Sequence, residues 1–248
     1  MKTAVTITVR MKSKRLPRKA MKALVGKPMI GHLIDRLKYA KLSDEIILCT
    51  STNVQDNILV EVAKGSNIKW FQGDEMDVLT RLLDAAKKYK IEFIVSTTGD
   101  NPLTDPHYID GVIKKFEETD ADYITCLDLP LGAFSYGVKV QALEKVVELK
   151  KEWDTEIWGM YFTKSNLFKI EKVEVESQVR HPEIRLTIDT LEDFRFMEEI
   201  YGRLYREGEL IELVDVINLL KEKPMLMEIN KNITQRKAPM IDISQFRK

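Results

Sequence analysis

Apolar runs and amphipathic stretches alternate along most of the chain. Short runs rich in β-branched residues predict buried strands, and apolar positions repeating every three or four residues predict helices. The predicted strands are Ala4–Val9, Glu45–Thr50, Asn67–Phe71, Phe93–Ser96, Tyr123–Leu127 and Ile184–Ile188. The predicted helices are Pro28 to about Ala40, Asp56–Lys64, Met76–Tyr89, Pro106–Glu118, about Leu191 to Tyr205 and about Glu212 to Lys221. This alternation predicts an α/β three-layer sandwich, with a mostly parallel sheet and helices on both faces.

The pattern is less regular between Pro130 and Pro182. We expect a small irregular lobe there, with some antiparallel strands, inserted into a single domain that spans residues 1–248. The tail from Lys231 has weak periodicity and mixed charge, so it can pack either on the body or on a partner subunit.

Composition narrows the functional classes. The 248 residues are 44% hydrophobic, enough for a sizeable core, and 39 Lys and Arg balance 39 Asp and Glu. Balanced charge argues against a general nucleic-acid binder. Cys49 and Cys126 lie inside apolar runs and are predicted to be small core residues. With neither a membrane-length apolar run nor a signal peptide in the sequence, we expect a soluble cytoplasmic protein without a membrane partner.

Six cationic side chains follow the first predicted strand directly. This basic loop, residues 10–19, contains Arg10, Lys12, Lys14, Arg15, Arg18 and Lys19. Ligands of α/β proteins bind outside the carboxyl ends of the strands, and so many like charges need a polyanionic partner. A nucleoside triphosphate fits, with Arg15 and Lys19 on phosphate oxygens and Ser13 adding a hydroxyl donor. The alternative is a solvated charge run. The loop is not a P-loop, because Gly26-Lys27-Pro28 lacks the flanking residues of that motif.

Two acidic residues follow predicted strands far apart in the sequence. Asp100 comes after Gly99, where the backbone can pass close to a ligand, and Asp189 closes the last predicted strand. Two carboxylates at one rim of a parallel sheet can hold Mg²⁺. The alternatives are a turn at Gly99-Asp100-Asn101-Pro102 and helix capping, with Asp189 or Thr190 as the N-cap.

Other candidate metal residues are weaker. Asp120-Ala121-Asp122 has the Asp-x-Asp form that many metal-dependent glycosyltransferases use, but it lies at a helix-to-strand entry, so we predict a turn. The three histidines are not spaced as a metal-binding set; they are His32, His107 and His181.

Several motifs resemble the cytidylyltransferases that activate sugars. This family includes CMP-Kdo synthetase, N-acylneuraminate cytidylyltransferase and the spore-coat polysaccharide biosynthesis protein F group. The matching motifs are Arg10 through Ile30, Asp77-Val78-Leu79-Thr80-Arg81, Thr98-Gly99-Asp100-Asn101-Pro102-Leu103 and Arg185-Leu186-Thr187-Ile188-Asp189-Thr190. The resemblance implies a nucleotide-diphospho-sugar transferase fold, which is Rossmann-like.

The resemblance also implies the chemistry. A sugar hydroxyl would attack the α-phosphate of CTP, with Mg²⁺ as cofactor and pyrophosphate as leaving group, in the synthesis of surface glycans. It implies catalytic roles for Arg15, Lys19, Asp100 and Asp189, of which Asp100 and Asp189 would hold the metal. The implied nucleotide-binding residues are Arg10, Ser13, Arg15, Lys19, Ser51, Gly73 and Arg81. The expected partners are CTP and a sugar or sugar-acid acceptor, and we also expect a homodimer.

The sequence departs from the family at some positions. Lys12 and Arg18 replace small residues, Ser96 stands where the spore-coat group commonly has arginine, and the region around Tyr136 and Trp153–Tyr161 matches poorly. The aromatic and acidic residues of that region form either an unusual acceptor site or lobe packing. Three alternative functions stay open: a sugar-1-phosphate nucleotidyltransferase using another nucleotide, a glycosyltransferase using Asp120 and Asp122, and a non-catalytic nucleotide-binding homologue.

Overall fold

The computed structural model describes residues 1–235 and Phe246, and the described residues form a seven-stranded sheet between two layers of helices. The strands are β1 (Thr3–Thr8), β2 (Ala23–Leu24), β3 (Lys27–Pro28), β4 (Glu45–Ser51), β5 (Lys69–Gly73), β6 (Phe93–Thr98), β7 (Tyr123–Thr125), β8 (Tyr136–Lys139) and β9 (Ile170–Lys172). The helices are α1 (Met29–Leu37), α2 (Asn57–Gly65), α3 (Val78–Tyr89), α4 (Pro106–Thr119), α5 (Val140–Leu149), α6 (Met160–Thr163), α7 (Leu191–Leu204) and α8 (Leu213–Glu222). Short 3-10 turns occupy Lys19–Met21, Val54–Asp56 and Pro224–Ile229.

The strand order in the sheet is β5-β4-β1-β6-β8-β7-β9, with β1 near the middle. The pairs β1–β4, β1–β6, β4–β5 and β7–β9 are parallel, whereas β8 runs antiparallel to both of its neighbours. The short strands β2 and β3 form a separate hairpin. The mostly parallel α/β sheet predicted from the sequence is confirmed.

Alternating side chains of the central strands enter two different apolar clusters, one on each face of the sheet. Val5 and Ile7 of β1 pack in the larger cluster with α1, α4 and α7. Ala4 of β1 and Ile94 of β6 pack in the smaller one with α3 and α5. This is the two-residue period of a strand buried on both faces. Cys49 and Cys126 are free and fully buried, as predicted.

Local capping explains where several helices begin. The Asp77 carboxylate accepts the N–H of Thr80 at the start of α3, and Asp105 caps α4 ahead of Pro106. Thr190 caps α7 in a capping box with Asp193, a pattern in which two side chains satisfy free N–H groups reciprocally. The N-cap of α7 is therefore Thr190, and Asp189 is left for other contacts.

The predicted strand Ile184–Ile188 is wrong, because this segment does not join the sheet. Its backbone bonds to loops: the N–H of Leu186 donates to the carbonyl of Leu131, and that of Ile188 donates to the carbonyl of Asp100. Within the described residues, an isolated bridge between Leu131 and Arg185 is the only ladder contact that this segment makes. The segment is extended and buried, which produced the apolar pattern, but it lies across the end of the sheet.

Residues 130–182 are partly incorporated into the main sheet. They contribute β8 in the predicted antiparallel direction, β9 at the sheet edge, and helices α5 and α6. At the chain's end, Phe246 is buried with its ring centroid 5.6 Å from that of Tyr161. The remainder of the predicted tail beyond residue 235 lies outside the described residues. Among the described helices, none is both long and apolar enough to cross a bilayer.

Candidate functional site

A cleft of about 680 Å³ opens where β1 and β6 end, at the carboxyl edge of the parallel strands. Its lining includes seven of the residues predicted from the sequence: Arg10, Ser13, Arg15, Lys19, Arg81, Asp100 and Asp189. Ser51 and Gly73 are not in this lining. The structure thus brings the basic loop and both predicted metal carboxylates together in one cleft.

Three oxygen atoms converge on the ammonium group of Lys19. Its Nζ donates to Asp100 Oδ2 at 2.7 Å, to Asp189 Oδ1 at 3.0 Å and to the carbonyl oxygen of Ile188 at 2.8 Å. Burial alone lowers the pKa of Lys19, but the carboxylates of Asp100 and Asp189 outweigh it and raise the pKa above its ordinary value. The group is therefore a cation held by an all-oxygen set.

This oxygen set fits a hard divalent cation. Mg²⁺ prefers oxygen ligands and is commonly held by one or two carboxylates together with substrate phosphates. In the structure a side-chain cation already occupies the point shared by Asp100 and Asp189, so two carboxylates and one carbonyl reach a common centre. The residues that would hold a metal here are Asp100 and Asp189.

Asp189 is surrounded by three cations. Its carboxylate pairs with Lys19, with Arg15 Nη2 at 2.9 Å and with Arg185 Nη2 at 3.0 Å. Burial favours the protonated acid, but Lys19, Arg15 and Arg185 together lower the pKa of Asp189 below its ordinary value. The carboxylate therefore stays ionised at neutral pH, which is the form that binds a cation.

Arg185 is a site residue to which the sequence analysis gave no role. Its guanidinium joins Asp189 to Asp193, donating from Nε to Asp193 Oδ1 at 2.8 Å. In an extended segment, residues four apart point to the same side. The spacing of Arg185 and Asp189 was therefore a signal available in the sequence.

Acidic residues of the chain already pair with part of the basic loop. Arg10 lies between two carboxylates, 3.1 Å from Glu156 and 3.7 Å from Glu75, and Lys12 pairs with Glu75 at 3.0 Å. The sequence analysis did not anticipate these pairs, in which acids from distant loops already balance part of the charge of the basic loop. Within the basic loop, Arg15 pairs with Asp189, and Lys19 pairs with both Asp100 and Asp189.

Ser51 and Gly73 lie outside the cleft lining. The Ser51 hydroxyl donates to Asp56, whose other oxygen accepts the N–H of Met11 at 2.7 Å, so this pair supports the start of the basic loop. A Cβ at Gly73 would lie 3.0 Å from Cγ of Arg81. Arg81 itself is buried and donates to the carbonyl oxygens of Asp74 and Glu75. These residues thus touch the loops that line the cleft.

Gly99 is needed for close packing within the protein. A Cβ there would lie 2.5 Å from Cγ2 of Val9, nearer than real Cβ contacts come. The Gly99 backbone therefore packs closely against Val9, which follows β1. This close approach brings Asp100 beside the basic loop.

A second part of the lining is aromatic and acidic. We call it the acceptor wall, and it consists of Phe134, Tyr136, Asp154, Glu156 and Trp158. The rings of Tyr136 and Trp158 meet edge to face with centroids 5.8 Å apart. Burial raises the pKa of Tyr136 to about 12, so its phenol stays neutral. The same aromatic rings pack the protein and line the cleft, whereas Trp153 is 65% exposed.

A buried clip fixes this wall to the start of α3. Thr155, which is 0% exposed, donates its hydroxyl to Asp77 and accepts the N–H of Leu79, each at 3.0 Å. Lys150 donates to the other Asp77 oxygen at 2.5 Å. Asp77, Lys150 and Thr155 form what we call the α3 clip, and the sequence analysis did not anticipate it.

Asp120 and Asp122 lie away from the cleft lining. Asp120 ends α4 and pairs with Lys139 at 2.7 Å, while Asp122 accepts the N–H of Lys169 at 2.9 Å. Both form the predicted turn before β7. Within residues 1–235 and Phe246, no group of three His, Cys, Asp or Glu side chains is arranged to hold a metal.

A sequence model of the cytidylyltransferase family matches residues 4–231. An uncharacterised protein of Methanocaldococcus jannaschii is 34% identical over 240 residues, covering 95% of this chain and 97% of the relative. The spore coat polysaccharide biosynthesis protein SpsF of Bacillus subtilis is 28% identical over 225 residues, covering 88% of this chain and 93% of SpsF.

The fold has a close counterpart among solved structures. A cytidylyltransferase from Leptospira borgpetersenii superposes with a TM-score of 0.83 at 26% identity, covering 96% of this chain and all of that one.

Proposed function

The chain belongs to the cytidylyltransferase family, and from this we propose that it transfers CMP from CTP to a hydroxyl group of a sugar, with release of pyrophosphate. The observation that carries the proposal is the oxygen set of Asp100, Asp189 and Ile188, which converges on one cation beside the basic loop. The name of SpsF places that relative in polysaccharide biosynthesis, which supports a surface glycan as the destination of the product.

In this mechanism the chain contributes charge and position. Mg²⁺ bound at Asp100 and Asp189 would neutralise negative charge on the phosphates of CTP. Arg15 and Lys19 hold phosphate oxygens, Arg15 through its planar fork and Lys19 as a point charge. When CTP binds, the Lys19 ammonium leaves the carboxylates of Asp100 and Asp189 and pairs with the triphosphate. Nucleotidyl transfer requires charge neutralisation and in-line placement more than covalent help from the protein.

Four substitutions test the metal site. Asp100→Asn and Asp189→Asn should each lower the rate of pyrophosphate release about 10²- to 10³-fold, the usual cost of removing electrostatic stabilisation of a transition state. Asp120→Asn and Asp122→Asn are matched controls, because both aspartates lie outside the cleft lining, and they should keep near-normal rates. The measurement is magnesium-dependent pyrophosphate release from CTP with a panel of sugars and sugar acids.

Circular dichroism and thermal unfolding check that each variant folds. The helix cap at α7 uses Thr190, so Asp189→Asn does not remove it. Near-normal turnover in a folded Asp189→Asn variant would contradict the metal role. An inactive Asp120→Asn or Asp122→Asn variant would instead favour the glycosyltransferase alternative. The homodimer and the cytoplasmic location stay predictions from the sequence.

A further inference from the structure

The two oxygens of the Asp189 carboxylate have different partners. Oδ1 accepts from Lys19 Nζ at 3.0 Å and pairs with Arg15 Nη2 at 2.9 Å, so it is the oxygen at the centre shared with Asp100. Oδ2 instead accepts from Arg185 Nη2 at 3.0 Å. Arg185 does not line the cleft. One oxygen of Asp189 therefore faces the cation centre, and the other is held by a residue outside the cleft lining.

Arg185 is in turn fixed on a second carboxylate, that of Asp193. Its Nε donates to Asp193 Oδ1 at 2.8 Å and its Nη2 donates to Asp193 Oδ2 at 3.0 Å, the two-point pairing that a planar guanidinium allows. The remaining Nη1 donates to the side-chain oxygen of Gln235. The side chains of Arg185 and Asp193 are 10% and 0% exposed. The guanidinium therefore cannot turn away from Asp189 without breaking several buried contacts.

The backbone and a distant asparagine hold Asp193. Its Oδ2 accepts the N–H of Asp189 at 3.0 Å and that of Thr190 at 3.1 Å. Asn230, which is 5% exposed, donates its Nδ2 to Asp193 Oδ1 at 3.1 Å and to the carbonyl oxygen of Arg185 at 3.2 Å. Asn230 lies 37 residues beyond Asp193 in the chain. Two separate segments thus hold one buried network behind the Asp189 carboxylate.

The orientation of a carboxylate matters for magnesium. Mg²⁺ requires a near-octahedral set of oxygens at about 2.0–2.1 Å, so a carboxylate that is free to turn binds it less tightly. Hydrogen-bond partners of a metal ligand fix its orientation, and losing one commonly costs about 10- to 100-fold in metal affinity or activity. A network that holds Oδ2 of Asp189 leaves Oδ1 directed at the centre.

We propose that Arg185 and Asn230 are positioning residues, which hold the Asp189 carboxylate in the orientation that binds the metal of a metal–CTP complex. Neither side chain lines the cleft, so they act through Asp189 and Asp193. This inference rests on the proposed function, and it extends the proposed metal site to residues outside the cleft lining.

Isothermal titration calorimetry tests the inference by measuring the affinity for CTP with Mg²⁺ and again with EDTA. The ratio of the two affinities is the metal-dependent gain. Arg185→Lys keeps the charge but loses the planar fork, so it should reduce that gain about tenfold, while the affinity for CTP in EDTA stays within about twofold. Asn230→Ala leaves every charge in place and should reduce the gain about threefold, the effect of one hydrogen bond. It also covers the case that Arg185→Lys does not fold, which thermal unfolding checks.

Arg180→Lys makes the same change at an exposed position outside the cleft lining and should keep the wild-type gain. An unchanged gain in both folded variants, or equal losses of CTP affinity with and without magnesium, would overturn the inference while leaving CMP transfer intact. A wild-type protein that binds CTP with magnesium but releases pyrophosphate with no sugar would overturn the proposed function. The comparison of affinities would then still decide whether Arg185 and Asn230 position Asp189.

Discussion

At the scale of single residues, Asp189 shows how much of the site depends on pairing. It touches Lys19, Arg15 and Arg185, which lie 170, 174 and 4 residues away in sequence. Its residue type and its place after an apolar segment identified it as a metal ligand candidate. The three cations that keep it ionised come from two separate segments, and only the fold brings them together.

Arg15→Ala should weaken the binding of CTP with Mg²⁺ about ten- to a hundredfold, because a charge-assisted contact to phosphate contributes roughly 1.5–3 kcal/mol. The side chain is 43% exposed, so the variant should fold normally. Isothermal titration calorimetry measures the affinity. Arg195→Ala, at an exposed position on α7, removes the same charge away from the cleft and should bind CTP as the wild type does. If Arg15→Ala bound CTP as tightly as the wild type, the basic loop would be a solvated charge run and not a phosphate-binding loop.

The residues expected to bind phosphate or metal all line the cleft, whereas of those expected near the nucleoside only Arg81 does. Arg10, Ser13, Arg15, Lys19, Asp100 and Asp189 all line the cleft. The family resemblance of the strand end at Ser51 implied a place near the nucleoside, but the Ser51 hydroxyl is used by Asp56. A strand end shows which edge of the sheet a residue occupies, but it does not show whether the side chain turns to the cleft or to a neighbouring loop.

At the scale of elements, the segment Ile184–Ile188 marks the limit of periodicity. Its apolar residues are buried as a strand's would be, yet its N–H groups bond to Leu131 and Asp100 in loops. Hydrophobic pattern reports burial and says nothing about which backbone supplies the hydrogen bonds. The helices and central strands were predictable because they bury whole faces, whereas this segment crosses the sheet end.

The α3 clip leads to a prediction about acceptor binding. Thr155→Val removes a hydroxyl that both donates to Asp77 and accepts from Leu79, and an unsatisfied buried group costs roughly 1–3 kcal/mol. The acceptor wall should loosen, so KM for the acceptor should rise about three- to tenfold while CTP affinity stays within about twofold. Steady-state kinetics with each substrate varied in turn measures the two effects.

Thr80→Val is the matched control for the clip. Thr80 donates its hydroxyl to the same Asp77 carboxylate at 2.7 Å, but from within α3. Its loss should leave the KM for the acceptor near the wild-type value, and Thr155→Ser should restore most of the Thr155→Val defect. If KM for the acceptor rose equally in Thr155→Val and Thr80→Val, the α3 clip would contribute only to the stability of the fold.

At the scale of the whole molecule, the cleft joins structure from both faces of the sheet. The basic loop leads into α1 on the side of the larger apolar cluster, while the acceptor wall adjoins α3 and α6 on the side of the smaller one. The alternation of elements predicted the layers. The position of β8, antiparallel between β6 and β7, was not predictable, because strand order depends on contacts between distant segments.

A ligand that fills this cleft should stabilise the entire fold. CTP with Mg²⁺ should raise the melting temperature more than ATP, GTP or UTP does. At a hundredfold excess over the dissociation constant, binding to the native state adds about 2.7 kcal/mol, or about 5–10 °C for a domain of this size. Differential scanning fluorimetry with the four nucleotides measures the shift. An equal or larger shift with another triphosphate would contradict cytidine specificity.

The ammonium of Lys19, lodged among the oxygens of Asp100, Asp189 and Ile188, has a consequence for the order in which the enzyme is loaded. Two neighbouring carboxylates would repel each other in an empty site, and an internal counter-ion removes that repulsion without help from solution. The Lys19 ammonium lies where the proposed metal would bind, so free magnesium would have to compete with a cation tethered to the protein. A nucleotide that arrived with its metal would give Lys19 a new anionic partner as the ammonium left the two carboxylates. The proposed site would therefore favour a metal bound to its nucleotide over the free ion.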